Sequence, residues 1–281
     1  MPELPEVETI ARGVDARVRG ERIAEAWFSR HPEPFKTPAA AQAKGLEGRR
    51  FLSVHRTGKH IVCELEPGTE VGPTGSAGPD AQWIVHLGMT GRLLVTTPDA
   101  ELAPHTHARL RLEGGRELRF VDPRRFGRLE FRALRRKEAF AAPGLEPLAT
   151  GAAEFAALFR GRRTPVKAAL LNQRLLSGVG NIYADESLYR AGIRPRRQAG
   201  RLTGAELERL RTALRKVLEN AIRLGGSSVS DYVDAEGVRG FFQLEHRVYQ
   251  RTGEPCLKCG TPIRRVVVAG RGTHYCPRCQ S

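Results

Sequence analysis

Four of the five cysteines fall into two C-x-x-C pairs, Cys256 with Cys259 and Cys276 with Cys279. The stretch between the pairs, Gly260 to Tyr275, has the length of a zinc ribbon. Four thiolates in two knuckles match one tetrahedral structural Zn2+ with no open coordination position. Such a metal folds a hairpin and does not catalyse. Disulfides are the competing reading, and they call for secretion. The N-terminus carries no basic segment followed by an apolar stretch, and no apolar run is long enough to span a membrane. The expectation is therefore a cytoplasmic protein with no membrane partner. Cys63, in an apolar strand, reads as a core thiol.

Charge bounds the partner. The chain has 281 residues, a formal net charge of +15 and a pI near 10.4. That length suffices for two domains, each with its own core. The positive charge is carried more by Arg than by Lys, which suits bidentate phosphate contacts. Together with the absence of a basic amphipathic helix bearing an apolar Trp-rich face, this points to nucleic acid. Aromatics make up only 6% of residues, which argues against a binder built mainly on base stacking.

The apolar spacing of Val7, Ile10, Ala11, Val14 and Val18 predicts a helix over 5–19, ended by Gly20. Short apolar strands are expected at 23–28, 51–56, 61–65, 83–87, 93–96, 108–112, 117–121 and 128–131, with a hairpin across Gly114-Gly115. Many short strands with turn signals indicate a β-sandwich or barrel. The Gly/Pro-rich stretch 67–80 reads as a surface loop. Basic residues and a Pro143-Gly144 break mark a linker at 135–150. The pattern then turns helical, with candidates at 152–159, 165–172, 181–191 and 205–224. The last is the clearest. It places Leu207, Leu210, Leu214, Val217, Leu218 and Ala221 on one face, and Thr203 with Glu206 makes a capping box. Residues 227–243 show no period and read as a loop.

The other end of the chain carries the chemistry. Removal of Met1 would make Pro2 the N-terminus, with a secondary amine able to form an iminium with a sugar aldehyde carbon. α-Amino groups titrate near pH ~8, so such an amine needs little tuning. Glu3 and Glu6 put two carboxylates within reach of it for proton shuttling. The plainer reading of Pro2-Glu3 is a helix start with proline and acid in the first turn. Gly178-Val179-Gly180-Asn181 precedes a helix whose N-terminus suits an anion. In Asp122-Pro123-Arg124-Arg125-Phe126-Gly127, an Arg beside a Phe on a turn suits entry into a duplex, against the alternative of a surface turn with a buried Phe. Met89 by itself reads as core.

The chain resembles the bacterial formamidopyrimidine-DNA glycosylase family over nearly its whole length. The resemblance rests on Pro2 to Glu8, Gly58-Lys59, His86 to Gly91, Asp122 to Gly127, Gly178 to Tyr183 and the zinc ribbon with Gly270 to Thr273. It implies an α+β fold of two domains. A catalytic β-sandwich with its N-terminal helix would occupy 1–134, and 135–150 would link it to a helix–two-turns–helix DNA-binding domain with a lesion loop at 151–243. A β-hairpin zinc finger would follow at 244–281. The implied partner is double-stranded DNA with damaged bases, met by a monomer. By resemblance Pro2 is the nucleophile, Glu3 assists base departure and ring opening, and Glu6 is a supporting acid. Lys59 holds a phosphate beside the lesion. Met89, Arg124 and Phe126 fill the void left by the extruded base, with Arg124 facing the orphaned cytosine. Lys167, Asn181 and Arg271 clamp phosphates. The implied activity is excision of oxidised purines followed by β- and δ-elimination. Leu4 favours this group over the sister endonuclease VIII-like enzymes, which prefer oxidised pyrimidines. A catalytically silent zinc-ribbon DNA-binding protein is the reading from another class. The stretch before Trp83 is longer than the family pattern leads one to expect.

Overall fold

The computed structural model describes residues 1–67, 78–134, 137–228 and 232–281. Most of the Gly/Pro-rich loop, the Arg135-Arg136 pair of the linker and the middle of the loop after residue 227 lie outside the described residues. The chain forms two compact units. The first comprises Met1–Ala141 and Ser227–Gly240, the second Ala142–Gly226 and Phe241–Ser281. The stretch after residue 226, expected to stay with the helical domain, thus splits. Its first part packs with the N-terminal unit because it brings Tyr232 and Ala235 into that unit's core.

In the first unit, α1 (Leu4–Val18) buries Leu4, Val7, Ile10, Ala11, Val14 and Val18, the stripe its spacing predicts. Two four-stranded antiparallel sheets follow. One has the order β1 (Ile23–Phe28), β6 (Thr106–Leu112), β7 (Glu117–Val121), β5 (Arg92–Thr96). The other has the order β2 (Arg50–Thr57), β3 (His60–Glu66), β4 (Ala81–His86), β8 (Arg128–Ala133). A single core of apolar side chains, Phe51, Trp83, Phe120 and Leu110 among them, unites α1 with both sheets. In β4 five successive residues are buried, so both faces are covered and the strand shows no alternation. Trp83 sits opposite Cys63 on β3 and Phe131 on β8. Truncating such a side chain costs roughly 3–5 kcal/mol. Cys63 is fully buried, as expected of a core thiol.

A second helix of this unit, α2 (Ala39–Leu46), was not expected. Only Gln42 and Leu46 of it are buried, so its apolar periodicity is too weak to read. Gln42 earns its place by accepting the Trp83 indole N–H at 3.1 Å while donating to the Thr37 carbonyl.

The second unit holds α3 (Ala152–Phe159), α4 (Val166–Leu171), α5 (Asn181–Ala191), α6 (Gly204–Arg223) and a hairpin of β9 (Arg264–Val268) and β10 (Arg271–Tyr275). The capping box on α6 forms as read: Thr203 Oγ1 accepts the Glu206 N–H and Glu206 Oε2 accepts the Thr203 N–H. Arg197 grips the Glu206 carboxylate and, with these cap bonds, holds it down at about 2. Gly225 and Gly226, both at positive φ, end the helix. The fold class is the α+β arrangement expected, with sheets first, helices second and a two-stranded finger last.

Candidate active site and nucleic-acid interface

The start of α1 is buried. Pro2 and Glu3 lie below the surface and Glu6 is 2% exposed, while Met1 remains outside. Glu6 organises this corner. Its Oε2 accepts the Glu3 N–H at 2.8 Å and its Oε1 accepts the Ser227 N–H at 2.7 Å. Tyr232 reaches the Glu6 carbonyl at 3.4 Å. With Met1 attached, the Pro2 nitrogen is an amide whose lone pair is delocalised. Aminopeptidase trimming would leave a secondary amine beside two buried carboxylates.

Lys59 stands on the two-residue turn between β2 and β3. Gly58 takes φ +61°, a conformation that suits glycine, and Arg56 donates to its carbonyl at 3.2 Å. Immediately beyond, His60 and His86 pair across β3 and β4 with ring centroids 4.8 Å apart. Burial first of all pushes both imidazoles down to about 4; His86 and Lys36 add to this at His60, and Lys59, Arg128 and Lys36 at His86. They line a cavity of about 260 Å3 with Lys36, Arg128, Glu130 and Phe140.

Met89, Arg124 and Phe126 come from two loops that touch. Met89 and Phe126 are 42% and 49% exposed, far more than their apolar character favours in isolation. The Arg124 guanidinium lies over the Phe126 ring at 4.8 Å. A Cβ on Gly88 would fall 2.5 Å from the Phe126 carbonyl carbon, so the Met89 loop can approach the Phe126 loop only with glycine there. Sequence reading left Phe126 between wedge and core, and took Met89 alone for core; both rings and chains stand out in solvent.

In the second unit, Asn181 opens α5 and donates to the Gly272 carbonyl at 3.0 Å. Arg271 begins β10 and is exposed. Lys167 was expected as a phosphate clamp. It is fully buried, with its ammonium 2.7 Å from Asp185 Oδ1 and donating to Thr273 Oγ1 and to the Gly272 carbonyl. The physical reason is the carboxylate. A buried Asp185 requires a compensating cation, and Lys167 is the side chain that supplies it. Lys167 and Asn181 thus converge on the carbonyl next to Arg271. Asp185 Oδ2 also accepts the His274 N–H at 2.8 Å.

Sequence reading missed Asp185 and Glu186 and assigned no role to Asp122. Glu186 accepts the N–H groups of Arg247, Val248 and Tyr249 and so anchors the chain entering the finger. The available signal was the polar run Asp185-Glu186-Ser187 inside a helix, all buried. Asp122 gathers the turn behind Arg124 and Phe126. It opens the Asp122 to Gly127 motif, which the sequence reading used only for Arg124 and Phe126.

The four cysteines 256, 259, 276 and 279 converge, with all sulfur atoms within 4.8 Å of one another. The Cys256–Cys279 and Cys259–Cys276 separations are 3.9 and 3.5 Å. A zinc ion with bonds of about 2.3 Å to four sulfurs sets them roughly 3.8 Å apart, so the donor set fits one structural zinc. Tyr189 Oη lies 3.3 Å from Cys256 Sγ. The metal's chemistry here is to fold the β9–β10 finger.

Three family models cover most of the chain. The formamidopyrimidine-DNA glycosylase N-terminal domain matches residues 1–129, the H2TH domain of the same enzymes matches 144–233, and the zinc finger found in FPG and IleRS matches 253–281. A protein of Thermus thermophilus named formamidopyrimidine-DNA glycosylase is 47% identical, over 100% of this chain and 98% of its own. One of the same name from Solibacter usitatus is 46% identical, over 100% and 99%. The crystal structure of the Thermus thermophilus protein superposes with a TM-score of 0.84 at 43% identity, covering 99% of this chain and 98% of that one. A Lactococcus lactis structure, in complex with Fapy-dG-containing DNA, matches over the full length of both chains with a TM-score of 0.86 at 33% identity.

Proposed function

The chain belongs to the formamidopyrimidine-DNA glycosylase family, and on that premise we propose that it excises 8-oxoguanine and formamidopyrimidines from duplex DNA through an iminium on Pro2. The observation that carries this reading is the buried corner of Pro2, Glu3 and Glu6. The Lactococcus lactis relatives crystallised with Fapy-dG and abasic-site DNA support the substrate class.

With Met1 removed, the Pro2 nitrogen attacks the sugar carbon bearing the damaged base. The carbon–base bond breaks and the base leaves with a proton. The sugar ring opens as the nitrogen lone pair forms the iminium, and Glu3 handles the proton at the ring oxygen. The iminium acidifies the neighbouring carbon. Loss of that proton expels the 3′ phosphate, and a second elimination expels the 5′ phosphate. Hydrolysis then frees Pro2. Lys59 holds a phosphate beside the lesion as a point charge. Met89, Arg124 and Phe126 fill the vacated stack, and Arg124 donates to the acceptors on cytosine's pairing edge. Asn181 and Arg271 engage backbone phosphates. Lys167 supports them from below through Gly272 rather than by direct contact. The zinc keeps Arg271 on a folded hairpin. The enzyme works as a monomer in the cytoplasm, on the nucleoid.

The test is reductive trapping. Borohydride should leave the Met1-processed protein covalently tied to lesion DNA, with the adduct on Pro2 by mass spectrometry. An adduct confined to a lysine would overturn the assignment. A form that keeps Met1 should not trap at all.

A further inference from the structure

Three large side chains, Met89, Arg124 and Phe126, project from two separate loops and stand exposed, with only the Arg124–Phe126 stack between them. Their arrangement must come from the backbone beneath. One carboxylate connects the two loops. Asp122, fully buried at the end of β7, accepts the Thr90 hydroxyl on Oδ1 at 2.6 Å. Its Oδ2 accepts the Gly127 N–H at 2.7 Å, and the Arg124 N–H points at Oδ1 from 3.3 Å. Thr90 is the residue after Met89; Arg124 and Gly127 bracket Phe126. The main chain of Asp122 is pinned as well. Its N–H donates to the His105 carbonyl, and its own carbonyl accepts the Arg125 N–H and faces His107 Nε2 at 3.1 Å. Ser29 Oγ lies 3.0 Å from the other nitrogen of that ring.

We infer that the Thr90–Asp122 hydrogen bond is a clasp that sets Met89, Arg124 and Phe126 as one preassembled wedge, making both residues positioning residues for opposite-base discrimination. The inference rests on the glycosylase reading above. Its physical basis is preorganisation. Without the clasp the Met89 loop and the Arg124 loop would each order separately on the DNA, and that ordering would be charged against insertion. The buried carboxylate is satisfied by hydroxyl and backbone N–H donors, so deleting the Thr90 hydroxyl leaves Oδ1 with only the long Arg124 N–H contact and cuts its side-chain link to the Met89 loop. Arg124 reads its base only if its loop is fixed, so loss of the clasp should cost discrimination before it costs sugar chemistry.

The experiment uses the full-length, Met1-processed protein. Single-turnover excision is measured on 8-oxoguanine opposite cytosine and opposite adenine, with 2-aminopurine beside the orphan position reporting wedge insertion. Cleavage of a preformed abasic site is measured in parallel. Thr90→Val keeps the shape and removes only the hydroxyl; Thr90→Ala is a second deletion should Val fail to fold. Both should reduce the cytosine-over-adenine ratio roughly tenfold and slow the 2-aminopurine change, with a smaller loss on the abasic site. Thr90→Ser should restore the ratio. The clasp is refuted if either deletion variant keeps the wild-type ratio and insertion rate. It is equally refuted if excision and abasic-site cleavage fall in step, since that marks a merely structural residue. A wild-type protein inactive on both substrates would instead overturn the glycosylase reading, with trapping absent as well.

Discussion

The Glu6 carboxylate accepts the backbone N–H of Ser227 at 2.7 Å, across 221 residues of chain. Its second oxygen accepts the Glu3 N–H. One side chain therefore fixes both Glu3, next to Pro2, and the start of the stretch that follows residue 226. Glu6→Gln replaces one acceptor by a donor that would meet an N–H head on. A stability loss of about 1–3 kcal/mol is expected, with faster amide exchange at Ser227. Hydrogen exchange on peptides spanning 226–228 checks it; unchanged protection there would show that the bond does not hold the segment.

Glu3→Gln should slow base excision more than cleavage of a preformed abasic site. The abasic site has already lost its base, so one step that needs proton transfer is bypassed. The two rates are compared under single turnover. Equal losses on both substrates would contradict the division of labour.

Arg124→Ala should lose rate and flatten the preference for cytosine over adenine opposite 8-oxoguanine. Cytosine offers acceptors to the guanidinium, whereas adenine presents an amino group that would meet N–H with N–H. A good polar contact of this kind is worth on the order of 1–3 kcal/mol of discrimination. Phe126→Ala, which removes the stacking partner under Arg124, should slow both duplexes alike. An intact ratio in Arg124→Ala would place the discrimination elsewhere.

Removing the metal should abolish DNA binding while the N-terminal unit stays folded. The four cysteines all lie within the final hairpin region of the second unit, and a structural zinc supplies folding energy locally. Cys256→Ser is examined by circular dichroism and by DNA mobility shift. Normal affinity in the metal-free protein would refute this. Wild-type affinity should fall with salt at a log–log slope of roughly −4 to −5, the mark of about five phosphate contacts.

Acid should weaken the fold earlier than carboxylates alone would. His60 and His86 sit at about 4 in the folded protein against 6.5 for the free side chain, first because burial disfavours the charged ring. The unfolded chain therefore takes up protons first as pH falls. The stability held by these neutral rings is complete above pH ~6.5 and is lost progressively down to about 4, on the order of 3 kcal/mol per ring. Urea midpoints between pH 7.5 and 4.5 measure it. His60→Gln should make that decline shallower between pH 6.5 and 5; an identical slope would remove His60 from the account.

Much of this protein was legible along the chain because the signals are local. The C-x-x-C spacing specifies the metal, the stripe on α6 and its capping box specify that helix, and apolar runs between turn residues specify the strands. Each depends on neighbours within a few residues. The site splits along the same line. Pro2, Glu3 and the Arg124–Phe126 turn are marked by residue type and position, and Glu3 caps the helix α1 whose apolar stripe is buried as its periodicity says it should be. Other features had no local signature. Lys167, expected as a phosphate clamp, is buried against Asp185 and donates to the Gly272 carbonyl. Glu6 reads as a carboxylate near Pro2, and its bond to Ser227 is not visible until that distant segment returns to it; α2 packs through Gln42, which bonds Trp83, and Leu46. Asp122 and Thr90 meet across 32 residues. Burial and long-range hydrogen bonding choose among roles that one side chain can play, and those choices are made only when distant segments share a core.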